Sequence, residues 1–296
     1  MAQPPYRMIA IDLDGTLLRP DHSVSPRVKD AIHKVLRAGM LVCFATGRNL
    51  TESQAILDSI SHYDTAVFVG GAMIVDTREG KTLHRTGMQP QLAREVCAVI
   101  ESLGHAALVL EDTSQTGVDY LISAGIELSE ATRNWIATTR AAVRRVANLA
   151  SYPHEHTVRV GICAPRAEVE RVRDILCERF GSRIVCQVLY VPPLDMEVME
   201  VFDPAVNKWE GVLHVARRHG IKPEQIIAIG DDVNDLPMIR NAGLGVAMGN
   251  ARPEVRQAAK LVIKPNSEDG LAEFLEDIVR QHLVAPENPP PAGRET

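Results

Sequence analysis

Aromatic side chains are scarce in this chain: two Trp, five Tyr and five Phe make up 4% of its 296 residues. Few platforms are left for stacking bases, and no block of Lys and Arg supplies the basic footprint that a nucleic-acid backbone demands. With 32 basic against 38 acidic residues the formal net charge is −6, so no nucleic-acid partner is expected. Cysteine is sparse too. Cys43, Cys97, Cys163, Cys177 and Cys186 are odd in number, widely spaced and without a C-x-x-C pair. That argues against a disulfide framework or a cysteine-rich zinc site and for a reducing compartment. Long apolar runs are missing. The stretch AVFVGGAMIV at 66 to 75 is among the longest, and it is a buried strand, too short for the roughly 20 residues that span a bilayer. The opening MAQPPYRMIAIDLDGT carries one Arg and meets acidic residues at once, so no cleavable secretion signal, no membrane partner and a cytoplasmic location are expected. The ten histidines contain no H-E-x-x-H, and His154 and His156 read as ordinary surface residues.

What is there is an alternation of strand and helix. RMIAID at 7 to 12 reads as a buried strand running into a turn at Asp14 and Gly15. A helix follows, with Ser25 as cap, Pro26 at its first position, an apolar face of Val28, Ala31, Ile32, Val35 and Leu36, and Gly39 after its end. MLVCFAT is a second buried strand ending in Thr46-Gly47-Arg48. Thr51 and Gln54 fit a capping box for the next helix, and AVFVG is a third strand. This spacing predicts a parallel sheet with crossover helices. After residue 71 the pattern changes to a small hairpin and then to mixed helices and alternating strands. These include a helix opened by Pro90, the strands VRVGIC, RIVCQVLY and MEVMEVF, a helix at 167 to 180, and a basic amphipathic helix around Arg140, Arg144 and Arg145. From 205 the first pattern returns. The expected fold is α/β: a doubly wound parallel-sheet core from 1–86 and 202–284, an inserted α/β cap domain from 87–201, and a disordered tail at 285–296 with four prolines.

Carboxylates gather at the ends of the core strands. Asp12 and Asp14 follow the first strand, Asp231, Asp232 and Asp235 follow IIAIG, and Thr46 follows a third. In an open parallel sheet these ends form the ligand-binding rim. Taken singly, D-x-D-G-T and G-D-D-x-N-D are each compatible with a capped turn, T-G-R with a loop, and Lys208 with a solvated helix residue. Together they place several carboxylates in one region, where they repel unless a cation or protons intervene. Hard oxygen ligands favour magnesium over zinc, and Lys208 adds a compact positive charge suited to a phosphoryl group. The constellation reads as phosphoryl transfer.

DLDGT at 12–16, TGR at 46–48, Lys208 and GDDVNDLPMI at 230–239 together resemble the haloacid dehalogenase superfamily. The match is best with its Cof-type branch of magnesium-dependent phosphatases with a large α/β cap, and it extends from residue 7 to about 280. The resemblance implies Asp12 as nucleophile and Asp14 as general acid and base. It implies that Thr46, the backbone at Gly47, Lys208 and Asn234 hold phosphoryl oxygens. Asp12, the main-chain carbonyl of Asp14, and Asp231 would bind Mg2+. Asp235 would be a supporting carboxylate, and Arg48 would organise the acidic rim or form a structural salt bridge.

Three positions depart from the family pattern: Asp232 stands where Asn is common, Trp209 where Gly usually follows the lysine, and Gly70-Gly71 where Asn-Gly is common. The implied activity is hydrolysis of small phosphorylated metabolites, with sugar phosphates foremost, by a monomer or homodimer. Glu111, Asp112, Asp119 and Asp195 are candidate partners for sugar hydroxyls. A phosphomutase using the same nucleophile, or a phosphate-binding protein without turnover, are the competing readings.

Overall fold

In a computed structural model the chain is described over residues 6–139, 141–191 and 195–284. Arg140 and the proposed tail at 285–296 lie outside the described residues. In chain order the strands are β1 (Met8–Ile11), β2 (Leu41–Phe44), β3 (Thr65–Phe68), β4 (Met73–Asp76), β5 (Lys81–Arg85), β6 (Leu108–Glu111) and β7 (Tyr120–Ser123). They continue with β8 (Val143–Val146), β9 (Thr157–Ala164), β10 (Val185–Val191), β11 (Met196–Phe202), β12 (Ile226–Gly230), β13 (Leu244–Ala247) and β14 (Leu261–Val262). The chain forms two compact units, Met1–Thr46 with Val212–Thr296, and Gly47–Gly211.

The first unit carries a five-stranded parallel sheet in the order β14-β13-β12-β1-β2. β1 and β12 are buried along their whole length, as strands of a sheet covered on both faces must be, which is why they read as unbroken apolar runs. The helix α1 (Pro26–Arg37) starts as its sequence dictates: the Ser25 hydroxyl accepts the Val28 amide at 3.1 Å, and Val28, Ala31, Ile32 and Val35 are buried. Each of those side chains contributes on the order of 2 kcal/mol through removal from water. β14 is one of the two edge strands, two residues long, with Leu261 and Val262 exposed.

In the second unit β3, β4 and β5 make an antiparallel sheet, and a six-stranded sheet runs β10-β11-β9-β6-β7-β8. β3 therefore corrects the expectation of a third parallel strand: its ladder is with β4, antiparallel, from Thr65↔Asp76 to Phe68↔Met73. The expected helix around Arg144 and Arg145 is likewise replaced by β8, parallel to β7, an edge strand whose exposed arginines suit an edge better than a core-facing helix. The capping box of α2 (Leu50–Ile60) is Asn49 with Glu52, not Thr51 with Gln54. Asn49 Oδ1 accepts the Glu52 amide at 2.8 Å and Glu52 Oε2 accepts the Asn49 amide at 3.2 Å. Thr51 is engaged elsewhere, donating to Asp119 Oδ1 at 2.8 Å.

The six-stranded sheet and α2 share a buried ionic cluster. Arg159 on β9 meets Glu200 on β11 at 2.5 Å and donates to the Tyr120 hydroxyl at 3.1 Å, and Tyr120 donates to Glu52 Oε1 at 3.3 Å. Burial pushes the Glu200 carboxyl up from 4.5 to about 7, against the opposing pull of Arg159. The folded state thus keeps a proton that the unfolded chain releases near pH 4.5, so this group's stabilisation is complete at acid pH and disappears as pH rises to about 7. We expect urea unfolding to show the stability gap between the wild type and Glu200→Gln narrowing across that window, by at most about 3 kcal/mol. Tryptophan fluorescence reports on this unit, since Trp135 and Trp209 both belong to it. Parallel pH profiles for the two proteins would show that Glu200 does not hold the proton.

Candidate active site

The acidic turn after β1 is built by backbone bonds. The Asp12 amide continues the ladder to the Ile229 carbonyl at 3.1 Å, and the Leu17 and Leu18 amides close the turn onto the carbonyls of Asp12 and Leu13 at 3.2 and 2.9 Å. Gly15 sits in this turn with φ +75°, and a Cβ there would fall 2.1 Å from Asp231 Oδ2. Only glycine combines that backbone angle with that approach. The Thr16 hydroxyl donates to Asp231 Oδ1 at 3.0 Å, and Asn250 Nδ2 donates to the Gly15 carbonyl at 2.8 Å.

The turn after β12 faces it. Asp235, wholly buried, accepts the amides of Asp231 and Asp232 on one oxygen, Oδ2, at 2.9 and 3.0 Å. One carboxylate oxygen from each of Asp12, Asp231 and Asp235 lies within 4.8 Å of the others. Three carboxylates this close, two of them buried, are held together only against strong repulsion unless positive charge or protons join them. In the same turn Asn234 Oδ1 is buried without a hydrogen-bond partner, a further hard oxygen. An all-oxygen donor set of this kind fits a hard divalent cation.

Asp14 is exposed on the same turn as buried Asp12. Thr46, also buried, follows β2 beyond Ala45, whose amide bonds the Ile11 carbonyl at 2.9 Å. Asp12, Asp14, Thr46, Asp231, Asn234 and Asp235 therefore all belong to the first unit, while Gly47, Arg48 and Lys208 belong to the second. There the Arg48 carbonyl accepts the Val69 amide at 2.9 Å, opening a run in which Val69, Gly70 and Gly71 all have positive φ. A left-handed β-branched residue is a strained one. A Cβ on Gly71 would lie 2.0 Å from the Asn207 carbonyl oxygen, so close passage of the chain before Lys208 explains that glycine. Lys208 opens the helix Lys208–Arg218 with its side chain buried.

The departures resolve in physical terms. Asp232 pairs with Arg252 at 2.6 Å and caps the Val233 amide at 2.6 Å, so its extra charge is neutralised outside the acidic trio. Trp209 is buried, a packing residue. Among the cap residues proposed for sugar hydroxyls, Glu111, Asp112 and Asp119 are buried and already accept protein donors: Thr157 to Glu111; Thr82, Arg85 and Ser114 to Asp112; Thr51, Thr113 and the Ala142 amide to Asp119. His154 is not a surface residue. It is buried, bonded to Thr157 Oγ1 and the Leu149 carbonyl, both at 2.8 Å. Sequence reasoning missed Asn250, although its position just past β13, a third core strand end, was the available signal.

Replacing Gly15 with Ala is expected to displace the Asp231 carboxylate and to weaken divalent-cation binding at the acidic trio about 10- to 100-fold, the usual effect of disturbing a ligand's support. Calorimetric titration of both proteins with a divalent cation reads this directly, and an unchanged dissociation constant would rule out the proposed crowding.

A family model described as haloacid dehalogenase-like hydrolase matches residues 9–275. The chain is 28% identical over 278 residues to the Bacillus subtilis 5-amino-6-(5-phospho-D-ribitylamino)uracil phosphatase YitU, covering 94% of this chain and 98% of that protein. It is 26% identical over 252 residues to an HMP-PP phosphatase of Serratia proteamaculans, covering 85% and 86%. Its fold is similar to that of a haloacid dehalogenase-like hydrolase from Bacteroides thetaiotaomicron, with a TM-score of 0.78 at 23% identity over 92% of this chain and 99% of that one.

Proposed function

The chain belongs to the haloacid dehalogenase-like hydrolases, and from that membership we propose that it is a magnesium-dependent phosphomonoester hydrolase. Its substrates would be small phosphorylated metabolites, sugar phosphates foremost. The observation that carries this reading is the convergence of Asp12, Asp231 and Asp235 within 4.8 Å at the strand ends of the core. The two relatives named above are phosphatases of small phosphorylated molecules, which supports the substrate class.

In this reading an Asp12 carboxylate oxygen attacks phosphorus, the bond from phosphorus to the leaving oxygen breaks, and Asp14 gives that oxygen its proton. Asp14, now a carboxylate, takes a proton from water. The water oxygen attacks the aspartyl phosphate, the bond from Asp12 to phosphorus breaks, and inorganic phosphate leaves. Thr46, the backbone at Gly47, Lys208 and Asn234 hold phosphoryl oxygens, and Arg48 organises the rim. Asp12, the Asp14 carbonyl and Asp231 would hold Mg2+, with Asp235 supporting the shell through its hold on the 231–232 amides. When bound, the cation supplies charge neutralisation for the phosphoryl group. Residues 87–201 act as a cap that selects the leaving group and controls water entry. The free cysteines are consistent with work in the cytoplasm.

A panel of phosphorylated metabolites, assayed for phosphate release with magnesium and after exhaustive chelation, tests the proposal. Release from a subset of the panel that chelation abolishes is the expected result. Binding without release on every member would make the protein a phosphate-binding module, and turnover only with a bisphosphate activator would make it a mutase. A chelation-insensitive rate would remove the cation from the mechanism.

A further inference from the structure

A buried ion pair is a poor stabiliser, since apolar residues of similar volume do as well or better. The Arg159 cluster therefore calls for another reason to exist. Arg159 is 5% exposed, and its guanidinium lies 5.9 Å over the Phe202 ring. Besides Glu200 and Tyr120 it reaches the Gly47 carbonyl, to which Nη1 donates at 3.4 Å. Gly47 is the middle residue of the Thr46-Gly47-Arg48 turn.

We infer that Arg159 is a positioning residue that fixes the peptide plane between Gly47 and Arg48, and so aims the Arg48 amide for a phosphoryl oxygen. The inference rests on the phosphatase reading only for the identity of the anion. In a trans peptide the carbonyl and the following N–H point in opposite directions. A Gly47 carbonyl held toward Arg159 sends the Arg48 N–H to the other side, away from the buried cluster. Glycine has no Cβ to oppose rotation about its own ψ, so without that hold the plane tilts over the range that the Arg48 φ allows. Anion-binding turns work through such oriented amides.

The cluster grips this segment at two points. Gly47 is held through Arg159, and the Asn49 amide through Glu52 Oε2, whose other oxygen accepts Tyr120. The Arg48 carbonyl, between them, accepts Val69. Arginine suits the task because its planar fork presents several donors at once. Here Nη1 serves Glu200 and Gly47 while Nη2 serves Tyr120. A lysine ammonium on the same strand reaches one of these acceptors well.

The test uses the full-length protein with magnesium present and inorganic phosphate as probe. In the wild type, phosphate shifts the Arg48 amide resonance. In the double variant Arg159→Met, Glu200→Met, which removes both members of the buried pair together, that shift is lost, and the phosphate dissociation constant rises about tenfold, as for one lost charge-assisted bond. KM for a phosphomonoester rises in parallel. Arg159→Lys is expected to restore little of this. A folded double variant that keeps the wild-type melting temperature, phosphate affinity and Arg48 shift overturns the inference. If the double variant does not fold, Tyr120→Phe decides: it leaves Glu200 in place and loosens only Arg159 and Glu52, and it should raise the phosphate constant about threefold. No change there also overturns the inference. A wild type that binds phosphate through Arg48 yet hydrolyses nothing would sink the phosphatase reading alone.

Discussion

Asp12→Asn is expected to leave phosphate release at the assay background, a loss larger than the roughly 10²–10⁴-fold attributable to a positioned acid or base. The amide matches the carboxylate in size, so the turn, which is closed by the Leu17 and Leu18 amides onto main-chain carbonyls, has no reason to move. What changes is the chemistry: a neutral amide oxygen is a poor nucleophile, and the bond to phosphorus never forms. Substrate is expected still to bind, since the proposed mechanism draws its phosphate contacts from Thr46, Gly47 and Lys208. Rapid quench followed by intact-protein mass measurement reads the difference, with an acid-stable phosphorylated species trapped in the wild type and none in the variant. Full turnover by Asp12→Asn would remove it as nucleophile.

The second large effect is conditional on the leaving group. Asp14 is exposed, and its turn is closed by the main-chain bonds of the Leu17 and Leu18 amides. Asp14→Asn should therefore keep the fold and lose the proton donor and acceptor. With an alkyl phosphate such as a sugar phosphate, turnover should fall by about 10²–10⁴-fold because the alkoxide departs unprotonated. With an activated aryl phosphate the leaving group departs unaided, so a burst of product equal to the enzyme concentration precedes slow hydrolysis of the intermediate. Equal slowing of both substrates, with no burst and binding intact, would falsify the dual role and leave Asp14 a structural part of the turn.

The elements around this chemistry were legible because their signals are local. Ser25 and Pro26 start a helix by bonds made within three residues, and the unbroken apolar runs of β1 and β12 match burial on both faces of a parallel sheet. The acidic residues at their ends follow from where such sheets bind ligands. β3 was misread because an apolar run carries no information on the direction of its neighbour. The strand at Val143–Val146 was misread because four residues between Ala-rich flanks satisfy both periodicities. His154 was missed because its partners Leu149 and Thr157 come from a loop and a strand start that no periodicity defines. Arg159 and Glu200 did leave a trace. Arg159 is the lone charge in VRVGIC, and Glu200 is one of two glutamates in the otherwise apolar MEVMEVF; charges of opposite sign inside neighbouring apolar strands suit one buried pair.

The β14 edge of the five-stranded sheet bears on how this molecule behaves in crowded solution. β14 offers a neighbouring chain only two residues of ladder, too little backbone to nucleate strand addition. Exposed Lys260 and Lys264 flank it, Pro265 follows, and Lys260 already spends its ammonium on the Gly243 carbonyl at 2.8 Å. Two apolar side chains sit in the open there, yet charge and proline on both sides keep the strand from serving as a template. Self-association through this edge is disfavoured, and a homodimer has to form through another face.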